Sequence, residues 1–282
     1  MKGKHIAITG ATAGIGRAAS IELARRGARL TLFCRNPEKA AILEREIREH
    51  GGDVSSIVME MADLASVREA AKTFLLRNET LDVLLNNAGI VNTSRKESAQ
   101  GYEETLAVNH FAPFLLTGLL LPALRSGQSS RIVNVSSGAH AFVKDMGYND
   151  MQAEKKYSTF HEYGRSKLAN ILFTRHLAQL LADEPITVNC LHPGAVSTSL
   201  GTQNSGVMGK VLPLLLKPFF RTPEKGAETS LYLCCSEDVA DISGEYFVNC
   251  KAVQPRRWAR DDAAAARLWD YTEQILDFHY SL

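Results

Sequence analysis

The sequence predicts an α/β fold in which helices cover both faces of a parallel β-sheet. Short apolar runs alternate along the chain with segments of helical periodicity. A glycine-rich turn lies between the first run and the first helical segment, and no linker or internal repeat divides the 282 residues. Strands that alternate with helices form βαβ units, whose right-handed crossovers place helices on both faces of one sheet. We therefore expect a single domain spanning residues 1–282.

Seven apolar runs predict strands at residues 5–9, 29–34, 54–60, 83–86, 131–136, 186–191 and 245–248. Helical periodicity predicts helices at residues 15–26, 37–50, 64–77, 100–124 and 162–181. Gly27 and Gly51 end two of these helices, Pro37 begins one, and Asp63 is suited to cap another. Ligands of such sheets bind beyond the carboxyl ends of the strands, so functional residues are expected just after each strand.

The charge and cysteine content exclude several classes of function. The formal net charge of +1 provides no broad field for nucleic acid or an acidic membrane. The five cysteines have no disulfide framework spacing and no CxxC, which favours a reducing, cytoplasmic location, and the scattered histidines predict no metal site. No apolar run approaches the length of about 18 residues of a membrane span. We expect no signal peptide or membrane anchor ahead of the first strand.

The glycine-rich turn after the first strand is predicted to bind a dinucleotide. Gly10, Gly14 and Gly16 have the spacing GxxxGxG. Glycine permits a sharp turn, and the free N–H groups of the following helix attract a pyrophosphate. A tight turn without a ligand is the plainer alternative. The predicted contacts are Thr9, Gly10, Thr12, Ala13, Gly14, Ile15 and Gly16.

The end of the second strand favours NADP(H) over NAD(H). The commoner dinucleotide-binding pattern has a carboxylate here for the ribose hydroxyls, but this chain has Arg35 and Asn36. Arg35 can form charge-assisted hydrogen bonds to a 2′-phosphate, although it can also be an ordinary solvated arginine. After the third strand, Asp63, which precedes Leu64, is either a helix N-cap or a contact to the adenine amine.

Tyr163 and Lys167 form the strongest candidate for a catalytic pair. Residues four apart lie on one face of a helix, so the lysine ammonium is expected next to the phenol. An adjacent ammonium favours the phenolate and is expected to lower the pKa of Tyr163 from about 10. General acid–base catalysis is efficient when the pKa lies near the working pH. A YxxxK pair also arises by chance, so its position after the fifth strand gives it weight.

Three further polar groups belong to the predicted site. Ser137 follows the fifth strand and can hold a substrate oxygen, with Ser136 as the alternative on the opposite side of the strand. Either serine can instead be a turn or cap residue. Asn109 lies inside a predicted helix, where asparagine is unfavourable, so it either binds a water or carbonyl or is a structural amide. The fourth strand ends in a turn containing Asn87, Ala88 and Gly89.

As an ordered set, these motifs resemble the short-chain dehydrogenase/reductase family. The matching stretches are TGATAGIG at 9–16, NNAG at 86–89, Asn109, the serine pair, YGRSK at 163–167 and HPGAVST at 192–198. Stretches such as RIVNVSSGAH and SKLANILFT resemble its retinol-dehydrogenase-like branch. The resemblance implies a Rossmann-type, doubly wound, seven-stranded parallel sheet. It also implies hydride transfer between a nicotinamide and a carbinol carbon.

The resemblance assigns roles by position. It implies that Tyr163 is the acid/base, Lys167 binds the nicotinamide ribose, Ser137 holds the oxygen and Asn109 completes a water-linked proton relay. The remaining implied cofactor contacts are Arg35, Asn36, Asp63, Leu64, Asn87, Ala88, Gly89, Pro193, Gly194, Val196 and Thr198. The helices that carry Asn109 and Tyr163 often form a homodimer interface in this family. Their apolar faces, which include Leu168, Ile171 and Leu172, fit core packing equally well.

Two segments bear on the substrate. An insert at 139–160 separates Ser137 from Tyr163, and the apolar segment near 198–222 is implied to form a substrate lid. An apolar lid favours a small hydrophobic alcohol, aldehyde or ketone. The same segment also fits a core or interfacial helix, or peripheral contact with a membrane. A light-dependent tetrapyrrole double-bond reductase and a non-catalytic NADP-sensing or scaffold protein are the alternative functions.

Overall fold

The computed structural model describes residues 1–77, 80–194 and 221–282. Its strands are β1 His5–Thr9, β2 Arg29–Cys34, β3 Asp53–Val58, β4 Val83–Asn86, β5 Ser130–Val135, β6 Ile186–His192, β7 Tyr246–Val248 and β8 Lys251–Ala252. They form one sheet in the order β3-β2-β1-β4-β5-β6-β7-β8. The α/β class and the parallel arrangement of the first seven strands are confirmed.

The eighth strand is an addition to the predicted seven-stranded sheet. It runs antiparallel to β7 and pairs Phe247 with Ala252. The chain reverses through Asn249 and Cys250, which have φ values of +53° and +59°. Two successive residues with positive φ make a tight hairpin turn, which sequence usually signals by glycine at the second position. Because cysteine occupies that position here, the sequence did not indicate the turn.

The helices are α1 Gly14–Arg25, α2 Pro37–Glu49, α3 Leu64–Leu75, α4 Glu104–Arg125, α5 Thr159–Leu180, α6 Pro223–Cys235 and α7 Asp262–Leu276. Within α4, Ala107–Phe111 is π-helical. The first five helices agree with the prediction to within a few residues, whereas α6 and α7 were not predicted. Capping side chains begin both of them, from Thr222 and Asp261 respectively.

The order of the strands places a crevice between β1 and β4. Strand β1 pairs with β2 on one side and with β4 on the other, so the chain connections run in opposite directions from this point. At such a switch point the loops after the two strands separate and leave room for a ligand. The glycine-rich turn after β1 and the Asn87 turn after β4 border this crevice.

Helix α7 covers the helices that carry the candidate catalytic residues. Trp269 of α7 lies with its ring centroid 4.8 Å from that of Phe114 and 4.6 Å from that of Tyr280. The apolar side chains that the resemblance also associates with a dimer interface are each 1% exposed within the single chain: Leu168, Ile171 and Leu172. Core packing accounts for their burial.

Among the described helices, Glu104–Arg125 has the length and apolar composition of a membrane span. Within the fold, 83% of its most apolar window is buried. Such burial is typical of the central helix of a folded domain, because the apolar side chains of that helix face the sheet and the neighbouring helices.

The insert between Ser137 and Tyr163 folds against α5, and one buried cation contributes to its attachment there. The Arg165 guanidinium donates hydrogen bonds to the main-chain oxygens of Asp150 at 3.0 Å and Met151 at 2.6 Å. It also forms an ion pair with Glu162, and both side chains are only 3% exposed. A buried charge must be paired and hydrogen-bonded to be tolerated. Arg165 therefore couples the shape of the insert to the helix that carries Tyr163.

We expect Arg165→Ala to lower the free energy of unfolding by about 3–5 kcal/mol, because it leaves the Glu162 carboxylate buried without its cation. Urea unfolding followed by circular dichroism measures this change. Lys225→Ala is the matched control, since the Lys225–Glu228 pair is exposed and such pairs contribute about 0–1 kcal/mol. Equal losses in the two variants would contradict the assignment.

Candidate active site

Thr9 and Asn87 join the ends of β1 and β4. The Thr9 hydroxyl oxygen accepts hydrogen bonds from the main-chain N–H groups of Asn87 and Ala88, both at 3.0 Å. The Asn87 side-chain amide donates in return to the main-chain oxygens of Thr9 at 2.9 Å and Gly10 at 3.3 Å. Two predicted contact residues thus have a structural role that fixes the width of the crevice.

The turn after β1 has the shape of a phosphate cradle. Gly10 and Gly14 have φ values of +67° and +51°, which side chains disfavour. A Cβ added to Gly16 would lie 2.3 Å from Gly10 O. The N-cap position of α1 is Ala13, which provides no side-chain cap. The first N–H groups of α1 are therefore available to a pyrophosphate, and they lie beside two predicted contact residues, Thr12 and Ile15. The site thus fits a dinucleotide.

Arg35 is exposed but has an acidic neighbour that the sequence did not indicate. Its side chain is 76% exposed, and its Nε lies 3.5 Å from Oε2 of Glu60, which follows β3. Adjacent strands β2 and β3 bring these residues together although 25 positions separate them in the sequence. Asn36 has a local role, because its side chain accepts a 2.7 Å hydrogen bond from the main-chain N–H of Lys39 and caps α2.

Asp63 is an N-cap, which was one of its two predicted roles. Its carboxylate accepts hydrogen bonds from the main-chain N–H of Ala65 at 3.0 Å and from the Gln100 side chain at 2.8 Å. The Gln100 amide oxygen in turn accepts from the main-chain N–H of Leu64 at 3.0 Å. The contact of Asp63 with adenine stays a prediction.

Asn109 is held by the loop after β4 and by the Tyr163 helix. It is fully buried in the π-helical segment. Its amide accepts from Ile90 N at 2.8 Å and donates to Ile90 O at 3.0 Å and Ser166 Oγ at 2.9 Å. Of its predicted roles, the structure shows the bond to a carbonyl. A Cβ on Gly89 would lie 3.3 Å from both Asn109 Oδ1 and Lys167 Nζ, so Gly89 leaves the space between them open.

Tyr163 lies between Ser137 and Lys167. The Lys167 Nζ is 5.7 Å from the centre of the Tyr163 ring, and the Ser137 hydroxyl lies near enough to the phenol to oppose the rise in the pKa of Tyr163. Ser136, the alternative to Ser137, points into the protein and donates a 2.7 Å hydrogen bond to Lys167 O. The structure therefore groups Ser137, Tyr163 and Lys167 at the carboxyl end of β5. Asn109 is connected to this group because it donates a hydrogen bond to Ser166, the residue before Lys167.

The prediction that the pKa of Tyr163 is lowered is wrong, because within the described part of the chain this pKa is raised. Burial raises the pKa of Tyr163, and the nearby Ser137 hydroxyl opposes this rise. The ammonium of Lys167 points to the main-chain oxygen of Val135, to which it donates at 2.9 Å. Burial lowers the pKa of Lys167 itself to about 8. The expected shift failed because desolvation, which the sequence does not show, is the largest effect on the pKa of this phenol.

The loop after β6 is described only in part. Pro193 and Gly194 follow the strand, while Val196 and Thr198 lie outside the described residues. The proposed lid near 198–222 also lies outside them, except for its last two residues. Gly194 has φ +84°, and a Cβ there would lie 2.8 Å from Arg221 Nε. Arg221, which the sequence did not single out, donates a 2.7 Å hydrogen bond to the Asn249 side chain. It places a cation next to the predicted nicotinamide end of the crevice.

Comparison with known proteins agrees with this geometry. The family model described as short chain dehydrogenase matches residues 4–206. Retinol dehydrogenase 14 of Mus musculus is 42% identical, over 98% of this chain and 86% of its own length. The crystal structure of an uncharacterized protein from Mycobacterium paratuberculosis has a TM-score of 0.81 at 29% identity and covers 100% of this chain and 96% of its own.

A third relative is described as an NAD(P)-dependent gluconate 5-dehydrogenase from Beutenbergia cavernae, in a structure with bound NADP. It has a TM-score of 0.70 at 27% identity and covers 88% of this chain and 95% of its own. The chain belongs to the short-chain dehydrogenase family and is an oxidoreductase acting on CH–OH and C=O groups. Within the family it lies in the retinol-dehydrogenase-like branch.

The buried ammonium of Lys167 predicts how stability depends on pH. Its pKa falls from the usual 10.5 to about 8 on folding. Between these values the unfolded chain binds a proton that the folded protein has released, so stability rises with pH. The free energy of unfolding of the wild type, minus that of Lys167→Met, should rise by up to about 3 kcal/mol from pH 7 to pH 10.5.

The subtraction cancels all other titrating groups, because the two proteins differ at one residue only. Chemical denaturation at a series of pH values measures the difference. A difference that stays flat or falls with pH would show that Lys167 is not desolvated in the fold.

Proposed function

We propose that this protein uses NADP(H) to interconvert a hydrophobic alcohol and its aldehyde or ketone. The observation that supports this most directly is the grouping of Ser137, Tyr163 and Lys167 at the sheet edge, beside a glycine cradle suited to a pyrophosphate. Proton transfer and dinucleotide binding thereby meet at one crevice, as an alcohol–carbonyl interconversion requires.

In the reducing direction, the Tyr163 hydroxyl donates its proton to the substrate oxygen, and in the oxidising direction it accepts one. Ser137, whose hydroxyl lies beside the Tyr163 phenol, donates its proton to the same substrate oxygen and fixes its position. The Lys167 ammonium supplies a positive charge behind the phenol and stabilises the phenolate as the proton leaves. A bound nicotinamide dinucleotide supplies or accepts the hydride.

The preference for NADP(H) rests on Arg35. Its guanidinium is exposed at the end of β2 and is free to meet a 2′-phosphate. The relative from Beutenbergia cavernae, which binds NADP, supports a phosphorylated dinucleotide. Glu60 opposes it, because its carboxylate lies near the guanidinium and would repel the phosphate. We propose that the attraction of Arg35 for the 2′-phosphate outweighs the repulsion by Glu60, because Arg35 would contact the phosphate directly.

A hydrophobic substrate is supported by the relatives and by two exposed aromatic side chains. The curated relatives are named for retinol, an apolar alcohol. Phe142 and Phe160 are 73% and 74% exposed. Phe142 follows Ser137 by five residues, and Phe160 lies one helical turn before Tyr163.

A cytoplasmic location belongs to the same proposal and is supported by the five unpaired cysteines.

Tyr163→Phe should lower kcat for aldehyde reduction by about 10²- to 10⁴-fold, because it removes the proton donor. Binding of NADPH should be unchanged, since the glycine cradle is intact. Stopped-flow absorbance of NADPH and a fluorescence titration measure the two quantities. Ser136→Ala is the control and should keep most of the activity that Ser137→Ala loses. Turnover of Tyr163→Phe close to that of the wild type would exclude the proposed mechanism.

Arg35→Asp should shift the preference from NADPH toward NADH by about 10- to 100-fold, which corresponds to the loss of one or two charge-assisted hydrogen bonds. Glu60→Gln should act in the opposite direction and tighten NADPH binding, because it removes the opposing carboxylate. The ratio of kcat/KM for the two cofactors, measured with one aldehyde, tests both variants. An unchanged ratio in Arg35→Asp would remove Arg35 from this role.

A further inference from the structure

Ser137 begins a short turn that is closed by hydrogen bonds from the residues just after it. Its hydroxyl oxygen accepts from the main-chain N–H of Ala139 at 3.2 Å, and its main-chain oxygen accepts from the N–H of His140 at 3.3 Å. Residues Gly138–Phe142 form a 3₁₀-helix here. A hydroxyl has one proton to donate, and the bond from Ala139 does not use it. The direction in which Ser137 donates therefore depends on how firmly this turn is held.

The ring of His140 makes a second and shorter contact with the same main-chain oxygen. Its Nδ1 lies 2.8 Å from Ser137 O, and the residue is 5% exposed. This contact restrains the peptide group that follows Ser137, and thereby the backbone from which the Ser137 hydroxyl projects.

The C-terminal part of the chain holds His140 from outside the turn. Its Nε2 lies 3.4 Å from the main-chain nitrogen of Arg256, and its main-chain oxygen accepts from Trp258 Nε1 at 3.3 Å. The ring packs edge-on against Tyr246 of β7, with ring centroids 5.2 Å apart and ring planes at 70°. Arg256 is 116 positions from His140 in the sequence, so these contacts connect a distant segment to the Ser137 turn.

The two polar partners of the His140 ring determine which nitrogen carries the proton. A main-chain oxygen only accepts, so Nδ1 donates to Ser137 O, and a main-chain N–H only donates, so Nε2 accepts from Arg256. The neutral ring protonated at Nδ1 satisfies both. Burial lowers the pKa of His140, the bond to Ser137 opposes this, and the charge of Arg256 lowers the pKa further. The neutral form is therefore favoured at neutral pH.

We propose that His140 is a positioning residue for Ser137. As the tautomer protonated at Nδ1, it carries the restraint of Tyr246, Arg256 and Trp258 to the hydroxyl that holds the substrate oxygen. The inference rests on the proposed function, because it assumes that Ser137 contacts the substrate.

Two substitutions at position 140 separate the polar role of the side chain from its packing. His140→Phe keeps a ring against Tyr246 but has no donor for the Ser137 oxygen, whereas His140→Asn loses the ring but places an amide nitrogen where Nδ1 lies. We expect His140→Phe to lower kcat for aldehyde reduction by about tenfold with little change in KM, since misplacing a catalytic group by about 1 Å can cost about 100-fold. His140→Asn should recover most of kcat. A role in packing alone predicts the opposite order of kcat, and that order would overturn the proposal.

The dependence on Ser137 is tested by combining substitutions. If His140 acts through Ser137, then His140→Phe should have little further effect on kcat when it is introduced into Ser137→Ala. A loss in that background as large as in the wild type would contradict the proposal, because His140 would then act independently of Ser137.

His5 offers a matched control for the loss of a buried histidine. It is also 5% exposed, its Nδ1 lies 2.8 Å from Thr80 O, and its ring is stacked on that of Phe74 with centroids 5.3 Å apart. His5 lies at the amino end of β1, away from the carboxyl edge of the sheet. His5→Phe should lower the melting temperature and leave kcat unchanged in assays below that temperature. An equal loss of kcat in His5→Phe and His140→Phe would refute the positioning role.

A measurement on the wild-type protein does not depend on the folding of any variant. The ¹⁵N chemical shifts of His140 at neutral pH should report a neutral ring protonated at Nδ1. A ring protonated at Nε2, or at both nitrogens, would overturn the proposal. The two proposals fail separately: an active Tyr163→Phe removes the proposed function, whereas an inactive Tyr163→Phe beside a fully active His140→Phe removes only the positioning role.

Discussion

The ammonium group of Lys167 is almost entirely buried, and much of the site is arranged around it. The side chain is 3% exposed, and a charge at that depth is tolerated only when oxygen atoms replace its water. The Val135 carbonyl at the end of β5 provides such an oxygen. Gly89 has no side chain that would enter the remaining space near Nζ. The cation on α5 is thus accommodated by a carbonyl at the end of β5 and by the space that a glycine leaves open.

The sequence predicted the architecture and the grouping of the site because both follow from local patterns. The alternation of apolar runs and helical periodicity gave the parallel sheet, and a parallel sheet brings the carboxyl ends of its strands to one edge. That rule alone was sufficient to place Gly10, Asn87 and Ser137 near one another. The four-residue spacing of Tyr163 and Lys167 placed them on one face of a helix, as the structure shows.

What the sequence could not predict depends on contacts between distant segments. The pKa of Tyr163 rises because the folded chain removes water from it, and desolvation is a property of the whole fold. Glu60 meets Arg35 only because β2 and β3 pair in one register. Helix α7 is recognisable as amphipathic, yet the bond of its Thr272 to His110, 162 positions away, has no local signal.

The way Arg165 holds the insert has a consequence for how this protein can diverge. The guanidinium contacts the insert through main-chain oxygens of Asp150 and Met151, which every amino acid possesses. Exposed side chains of the insert can therefore be exchanged without removing these two hydrogen bonds. Selection for a new ligand can rewrite the outer surface of the insert while the catalytic tyrosine keeps its place.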